Sequence, residues 1–343
     1  MPHVTMVVVG ASAGGVEALR ALVAGLPSDL RAAVLVVLHI PRAGPSALPR
    51  ILERAGPLPA THAVDGEPLR PGHVYVAPAD HHLLVLDGRV RLSRGPAENG
   101  HRPAVDPLFR SAARASGPAT VAVVLSGARD DGTAGAAVVL GRGGRLLVQD
   151  PDDALHASMP RSAIEHVAAD RVCSAAELGP AVADAVDAIH HDPARPIPVA
   201  SDDDLAALET AMADMQDLTT EQMSTHSAGL ACPACNGALF QLPGEPHPRY
   251  RCWVGHAWSP ESLLDEQAAA FEGALWMALR SLEEKSSLAR RMGAAADRRG
   301  GPTTAGRFRQ IGDEAEQAAR LIRNLIGRLG ALNEQPVDAE RGT

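Results

Sequence analysis

A serine near the start of the chain has neighbours that suggest a chemical role for its hydroxyl. Ser12 lies within residues 10–14, which read G-A-S-A-G and follow an apolar run at residues 4–9. A serine on such a strand-to-helix turn is lifted above the sheet edge, where a general base can reach its hydroxyl. The first N–H groups of the following helix have no partner within the helix and can stabilise an oxyanion. The pattern therefore predicts acyl transfer or ester hydrolysis with Ser12 as the nucleophile.

This nucleophile needs a base, because a neutral serine hydroxyl reacts slowly and imidazole titrates near neutral pH. His39 lies at the end of a second apolar run, residues 33–40. Functional groups in parallel sheets gather at the carboxyl ends of the strands, so Ser12 and His39 are expected at the same edge. A histidine at a strand end can also simply bond a nearby carbonyl, and the residue types leave both interpretations open.

Two neighbouring aspartates compete for the role of the carboxylate that orients the imidazole. Asp130 and Asp131 follow the apolar run at residues 120–125, which predicts another strand ending at this edge. Either side chain could instead cap the helix that begins near Gly132, since aspartate is a common helix cap. Position alone does not choose between them.

A second cluster of reactive side chains lies in the last third of the chain. Cys232 and Cys235 form a C-x2-C pair, and Cys252 and His256 form a C-x3-H pair. This set predicts a closed tetrahedral Cys₃His site for structural zinc, and the short segment between the pairs needs a metal to fold. The alternatives are free thiols in a loop, a redox C-x-x-C pair, and His226 as a substitute ligand.

Composition limits the class of protein. The chain has 343 residues, enough for two domains, and a net charge of −9 that argues against nucleic acid as the main partner. Neither a membrane-spanning apolar run nor a secretory signal is evident, so we expect a cytoplasmic protein. Clustered cysteines indicate a metal site in a reducing compartment, and Cys173 is interpreted as a core residue. No cofactor-binding residues are predicted, because residues 10–15 match neither dinucleotide-binding nor P-loop patterns.

The elements that must position these groups alternate between strand and helix along residues 1–190. Predicted strands lie at residues 4–9, 33–40, 74–77, 120–125 and 146–149, and predicted helices at 16–26, 105–115, 133–140, 160–167 and 178–189. Continuous apolar runs are typical of strands buried on both faces. The expected fold is therefore α/β: a doubly wound, mostly parallel sheet in three αβα layers, Rossmann-like, with an appended hairpin at residues 83–92.

Three further segments follow this domain of residues 1–190. Residues 191–227 are predicted to be a linker and an acidic amphipathic helix, and residues 228–258 a zinc-ribbon-like module. Residues 259–335 show two heptad-patterned stretches separated by a Gly-Gly-Pro sequence at 300–302, which predicts a helical hairpin or coiled coil.

Separated motifs across residues 4–190 resemble the catalytic domain of chemotaxis protein-glutamate methylesterases (CheB-type). They are GASAGG, VVLHIP, VYVAPADHHL, HRPAVDPLF, SGARDDGTAG and LLVQDPDDALHASMPRSAI, in this order. By position, the resemblance places the family's nucleophile on Ser12, its histidine on His39 and its aspartate on Asp131 rather than Asp130. This chain order differs from that of the α/β-hydrolases, so the G-x-S-x-G pattern is not read as membership of that fold family.

The resemblance also implies a reaction. Members hydrolyse glutamyl methyl esters on the helices of methyl-accepting chemoreceptors, with release of methanol and without a catalytic cofactor, and many also deamidate receptor glutamines. His39 would take the proton of Ser12, and backbone N–H groups, with Ala13 and Gly14 as the candidates, would stabilise the oxyanion. Neither a nucleic acid partner nor a membrane span is expected.

The chain departs from the family pattern in three ways. Ala13 stands where the family commonly has threonine, and residues 127–129 read Gly-Ala-Arg where it commonly has Gly-Met-Gly, so we expect an altered rate or specificity. Arg129 is interpreted as a solvated charge, the alternative being attraction of an acidic receptor surface. The first strand begins close to Met1, so we expect no receiver domain and no control by phosphorylation in cis. The alternative function is a weakly active or inactive scaffold that binds partners, or itself, through its C-terminal helices.

Overall fold

The computed structural model describes residues 4–44, 46–191, 203–215, 227–242 and 248–333. The chain divides into two compact units, Met1–Leu263 and Leu264–Thr343. The predicted linker, the end of the predicted acidic helix and His226 lie outside the described residues. None of the helices in the described part has the length and apolarity needed to span a bilayer.

The first unit is built on a parallel sheet. Its first nine strands are β1 (Met6–Ala11), β2 (Ala33–Leu38), β3 (Ala60–His62), β4 (His73–Val76), β5 (His82–Leu86), β6 (Arg89–Ser93), β7 (Thr120–Val124), β8 (Arg145–Gln149) and β9 (Arg171–Cys173). Seven of them form one sheet in the order β3-β4-β2-β1-β7-β8-β9, and every neighbouring pair in it is parallel. The strand order turns back at β1, which places the candidate serine in the middle of the sheet.

Helices cover both faces of this sheet. They are α1 (Gly15–Ala24), α2 (Leu48–Ala55), α3 (Val105–Ser116), α4 (Thr133–Gly141), α5 (Ser158–His166) and α6 (Ala175–His191). In β1, Val7 and Val9 pack with α1, α2 and α6, whereas Met6 and Val8 pack with α3, α4 and α5. A strand that is buried on both faces needs the continuous apolar sequence seen there. The predicted doubly wound three-layer fold is confirmed.

The hairpin β5–β6 is present as a separate two-stranded sheet. Asp87 and Gly88 at its turn both have positive φ, 50° and 70°, as a type I′ turn requires. Two short elements, α2 and β3, were not predicted; they lie between the second and third predicted strands, and each is too short for a clear periodic pattern.

A smaller antiparallel sheet completes the first unit. Its strands are β10 (Ser227–Ala231), β11 (Ala238–Leu242), β12 (Arg249–Cys252) and β13 (Ala257–Trp258), in that order. We call these four strands and their connections the ribbon module. Its small core joins Leu239, Trp258 and Leu263 to the buried Cys232 and Cys252. Helix α7 (Asp203–Ala213) precedes the module and contacts α3.

The second unit consists of helices α8 (Pro260–Arg298), whose first turn belongs to the first unit, and α9 (Pro302–Asn333). They are separated at the Gly-Gly-Pro sequence, where Gly300 has a φ of 73°. Ion pairs Asp297–Arg309, Arg290–Glu316 and Glu283–Arg323 connect them in reverse order along the two helices, which makes the pair an antiparallel hairpin.

Candidate active site

The three candidate catalytic side chains come from the carboxyl ends of three adjacent strands. Ser12 follows β1, His39 follows β2, and Asp131 lies in the loop after β7. Backbone hydrogen bonds continue past the strand ends: the Ser12 amide donates to Ser126 O at 3.0 Å, and the His39 amide to Ala11 O at 3.0 Å. The parallel ladder therefore fixes the main chain of the serine and the histidine relative to each other.

The turn that carries Ser12 depends on glycine at two positions. Gly14 has a φ of 72°, a left-handed conformation that other residues adopt at a cost. A Cβ at Gly127 would lie 2.0 Å from Met159 Sδ and 2.9 Å from Ser12 Cβ, so a larger residue there would displace one of these side chains. The amides of Ala13 and Gly14 donate no hydrogen bond within the described chain, and both residues are partly exposed. These two N–H groups are free to bind an oxyanion.

His39 and Asp131 form a buried hydrogen-bonded pair. His39 Nε2 lies 2.7 Å from Asp131 Oδ2, and the two side chains are 4% and 1% exposed. An ionised carboxylate only accepts hydrogen bonds, so Nε2 carries the proton and Nδ1 is left with a lone pair. His39 Nδ1 is buried and has no hydrogen-bond partner among the described residues. The imidazole thus keeps one basic nitrogen unused.

The structure brings Ser12 to the same sheet edge as this pair without a hydrogen bond between its hydroxyl and His39 in the described chain. Catalytic hydrogen bonds often form fully only when substrate is bound. The geometry therefore shows the hydrogen bond between His39 and Asp131, and it places Ser12 at the same edge of the sheet.

The carboxylate of Asp131 accepts four hydrogen bonds. Besides His39, the Val105 amide donates to Oδ2 at 2.7 Å, and the Asp106 amide and Asn99 Nδ2 donate to Oδ1 at 3.2 and 3.1 Å. Burial alone would raise the pKa of Asp131, but the hydrogen bond and charge of His39 and the amide of Val105 lower it below its ordinary value. Asp131 is accordingly the ionised member of the site.

Two other aspartates lie close by and differ from Asp131. Burial and the charge of Asp131 raise the pKa of Asp106 well above its ordinary value, so the pair carries one charge rather than two. Burial also raises the pKa of Asp130, whose Oδ1 accepts hydrogen bonds from the hydroxyls of Ser259 and Ser262 at 2.7 and 2.9 Å. The structure thus places Asp131, and not Asp130, against His39.

A second histidine, His101, stacks on His39 with ring centroids 3.6 Å apart and an interplanar angle of 11°, and no residue pattern predicted it. Burial, together with the charge of His39, lowers the pKa of His101 to about 4, so it is neutral at pH 7. The only signal for it in the sequence is its place at the start of the HRPAVDPLF motif.

We predict that His101 makes stability depend on pH. Between pH 6.5 and about 4 the unfolded chain binds a proton at this residue and the folded chain does not, so stability falls as the pH falls. His101→Phe keeps a stacking ring but does not titrate. From pH 7 to 4, wild type should lose about 3 kcal/mol more unfolding free energy than this variant, measured by urea denaturation. His191→Phe, on the exposed end of α6, should behave like wild type, and equal losses in all three proteins would contradict the prediction.

The loop after β7 departs from the family pattern at Arg129. This residue has a φ of 66°, at the position where the pattern commonly has glycine. A left-handed conformation costs a non-glycine residue about 1 kcal/mol, so the loop keeps the glycine geometry with an arginine in it.

The cysteine and histidine pairs also meet in the structure. One ligand atom from each of Cys232, Cys235, Cys252 and His256 lies within 4.8 Å of the other three. Cys252 Sγ lies 3.6 Å from Cys235 Sγ and 3.6 Å from His256 Nδ1. Zinc–sulfur bonds of about 2.3 Å in a tetrahedron place two sulfurs about 3.8 Å apart, so this donor set fits a closed metal site. Cys173, at the end of β9, packs instead against the core beneath α1 and α6.

Ser12 and the buried histidine–aspartate pair lie at the carboxyl edge of a doubly wound α/β sheet, the edge where such sheets place their functional groups. The CheB methylesterase family model matches residues 7–182. The chain belongs to this family.

Relatives and a solved structure support the assignment. A protein-glutamate methylesterase/protein-glutamine glutaminase of Myxococcus xanthus is 44% identical over 156 residues, which cover 45% of this chain and 44% of that protein. One from a Nocardioides species is 42% identical over 181 residues, covering 52% and 49%. The crystal structure of the Thermotoga maritima CheB methylesterase catalytic domain matches with a TM-score of 0.51 and 35% identity, covering 52% of this chain and 97% of that one. The chain thus spans about half the length of the curated relatives it matches.

Proposed function

We propose that this chain is a protein-glutamate methylesterase that hydrolyses glutamyl methyl esters on chemoreceptor helices. Membership of the CheB methylesterase family and the names of the relatives support the reaction class. The observation that carries the proposal is the buried hydrogen bond between His39 and Asp131. It leaves the Nδ1 atom of His39 without a partner in the described chain, and His39 and Ser12 lie at the same edge of the sheet. We place this reaction in the cytoplasm, where receptor signalling helices are accessible.

In the proposed mechanism, His39 Nδ1 takes the proton of the Ser12 hydroxyl as its oxygen attacks the ester carbonyl. The amides of Ala13 and Gly14 stabilise the oxyanion, and Asp131 stabilises the positively charged imidazole. His39 then donates its proton to the departing methanol. Water repeats the attack on the acyl-serine, which releases the glutamate carboxylate and restores Ser12. A glutamine side chain reacting by the same steps would release ammonia.

The test is methanol release from a methylated receptor fragment by the purified chain, with ammonia release from the matching glutamine fragment measured in parallel. We expect methanol in excess of one equivalent per chain, which demonstrates turnover. Absence of methanol above the rate without protein would contradict the proposal.

That negative outcome would favour the second candidate, a scaffold with the methylesterase fold. Ala13 and Ala128 alter the family pattern beside the serine, and α8 exposes large apolar side chains. Those of Phe271, Trp276 and Met277 are 51%, 52% and 68% exposed. Binding of a receptor fragment or of a second copy by residues 201–343 would support this candidate, and its absence would remove it.

We also propose that Cys232, Cys235, Cys252 and His256 bind one structural Zn²⁺. The support is the convergence of three sulfurs and one imidazole in a module too small to have a large apolar core.

We predict that the purified chain contains one zinc per molecule and that Cys252→Ser reduces this to below about one tenth, because three protein ligands bind structural zinc far more weakly than four. Elemental analysis by mass spectrometry measures the content. Cys173→Ser, a control outside the cluster, should keep one zinc. Full zinc content in Cys252→Ser, or none in wild type, would contradict the prediction.

A further inference from the structure

The ribbon module is hydrogen-bonded to a short segment of the catalytic domain, residues 97–101, which we call the bridging segment. The Ala257 amide on β13 donates to Ala97 O at 3.3 Å, and the Asn99 amide donates to Ala257 O at 2.8 Å. Ala257 directly follows His256, a member of the metal-binding set. The last strand of the module therefore begins directly after a candidate metal ligand and is hydrogen-bonded to the bridging segment.

A buried charge cluster makes this contact specific. Arg251, which precedes the ligand Cys252, donates from Nη2 to Glu98 at 3.0 Å and to Glu209 of α7 at 3.1 Å. Arg110 of α3 donates to Glu98 at 2.8 Å. All four side chains are at most 2% exposed. Removing one partner from such a cluster leaves an uncompensated buried charge, so the module must be in place for the charges to stay buried.

Asn99 transmits this contact to the catalytic aspartate. Its Oδ1 accepts a hydrogen bond from the Ser259 amide at 2.9 Å, while its Nδ2 donates to Asp131 at 3.1 Å and to Asp106 at 3.2 Å. The Ser259 amide can only donate, so it fixes the side-chain oxygen on its own side and directs the Nδ2 donor to the carboxylates. Ser259, which directly follows the module, thus orients the Asn99 side chain whose Nδ2 donates to Asp131.

The other end of the bridging segment reaches His39. Glu98 and His101 exchange two backbone hydrogen bonds, of 3.2 and 2.8 Å, which close a tight turn. His101 stacks on the imidazole of His39. Within this turn Asn99 has a φ of 52°, a conformation that its surroundings must maintain. One hydrogen-bonded turn therefore contacts both members of the histidine–aspartate pair.

We propose that metal bound at the Cys₃His cluster orders the ribbon module and so holds the bridging segment in the position that orients Asp131 and His39. Asn99 is a positioning residue in this account, and the metal takes no part in the chemistry. The kinetic consequence rests on the proposed methylesterase function, but the structural consequence for the His39–Asp131 hydrogen bond does not.

The experiment compares the full chain with zinc, after zinc removal by a chelator, and after zinc is restored. The first readout is the downfield proton resonance of the His39 ring N–H that is hydrogen-bonded to Asp131, assigned by its absence in His39→Gln. We expect this resonance with zinc, its loss on removal and its return on reloading. Amide exchange protection of β1 should persist throughout, which distinguishes repositioning from unfolding.

The second readout is methyl-ester hydrolysis. Zinc removal and Asn99→Ala should each lower kcat by about 10- to 100-fold, the value of one hydrogen bond to a charged group, with KM changed less than about twofold. Asn99→Ala should retain its zinc, and Cys173→Ser should match wild type in every measurement.

Each outcome decides a separate claim. An unchanged His39 resonance after zinc removal, or loss of β1 protection together with the resonance, would overturn the positioning proposal whatever the activity. A zinc-dependent resonance in a chain that releases no methanol would support it while contradicting the proposed function.

Discussion

Ser12→Ala is expected to lower kcat for methyl-ester hydrolysis by about 10⁴-fold or more, because no other group in the proposed mechanism can form the acyl intermediate. KM should change little, since the hydroxyl acts mainly in the transition state. The free energy of unfolding should change by less than about 0.5 kcal/mol, because this partly exposed hydroxyl makes no hydrogen bond in the described chain.

The measurement is steady-state methanol release with a methylated receptor fragment, together with urea denaturation of the same preparations. Ser287→Ala, at an exposed position of α8, is the matched control and should retain wild-type kcat. A Ser12→Ala protein with more than about one tenth of wild-type kcat would remove Ser12 from the mechanism.

Asp131→Asn is the second substitution with a large expected effect. An amide nitrogen facing His39 would donate to Nε2, and the ring proton would then move to Nδ1. That tautomer cannot accept the proton of Ser12, so we expect a loss of about 10⁴-fold in kcat. The groups around Asp131 are all donors, so the asparagine nitrogen faces an N–H group in either orientation: the Val105 amide beside His39, or the Asp106 amide and Asn99 Nδ2 at the other oxygen. With its oxygen toward the ring, the asparagine keeps the tautomer but lacks the negative charge that stabilises the protonated imidazole, which also lowers kcat.

The adjacent residue supplies the control for this experiment. Asp130→Asn keeps an oxygen that can accept from the Ser259 and Ser262 hydroxyls, so kcat should stay within about threefold of wild type. The pair separates two aspartates that differ by one position in sequence. Equal losses in both variants, or a larger loss in Asp130→Asn, would contradict the assignment of Asp131.

Much of the catalytic fold could be predicted because its strands are continuous apolar runs and its turns carry glycine. The strands β1, β2 and β7 are buried on both faces, so nearly every residue in them is apolar. Such runs can be recognised in the sequence without knowing which elements pack against them. Short elements such as α2 escaped prediction, since eight residues give too few turns for a clear periodicity.

The candidate site was only partly predictable. Ser12 and His39 follow from the rule that parallel strands end at one edge, but the choice between Asp130 and Asp131 depends on the path of a loop. Asp131 faces the first amides of α3, a contact 25 or 26 residues distant in sequence. Spacing alone contains no information about such a contact.

The residues that contact His39 and Asp131 from the bridging segment were missed for the same reason. Asn99 and His101 lie in an irregular connection between β6 and α3. Their partners follow β2, follow β7 and precede α8. Spacing did predict the four metal-ligand candidates, because short C-x-x-C and C-x-x-x-H patterns bring ligands together locally. The contact of the ribbon module with Glu98 through Arg251 spans 153 residues and needed the structure.

The most direct test of the proposed relay is covalent labelling with a fluorophosphonate, which reacts with activated serines, followed by mass spectrometry of tryptic peptides. We predict one phosphonyl group per chain on the peptide of residues 1–20, at Ser12. Labelling should be absent in Ser12→Ala, strongly slowed in His39→Gln and Asp131→Asn, and unchanged in Asp130→Asn. Label on a different residue, or equal labelling of wild type and Ser12→Ala, would contradict the account.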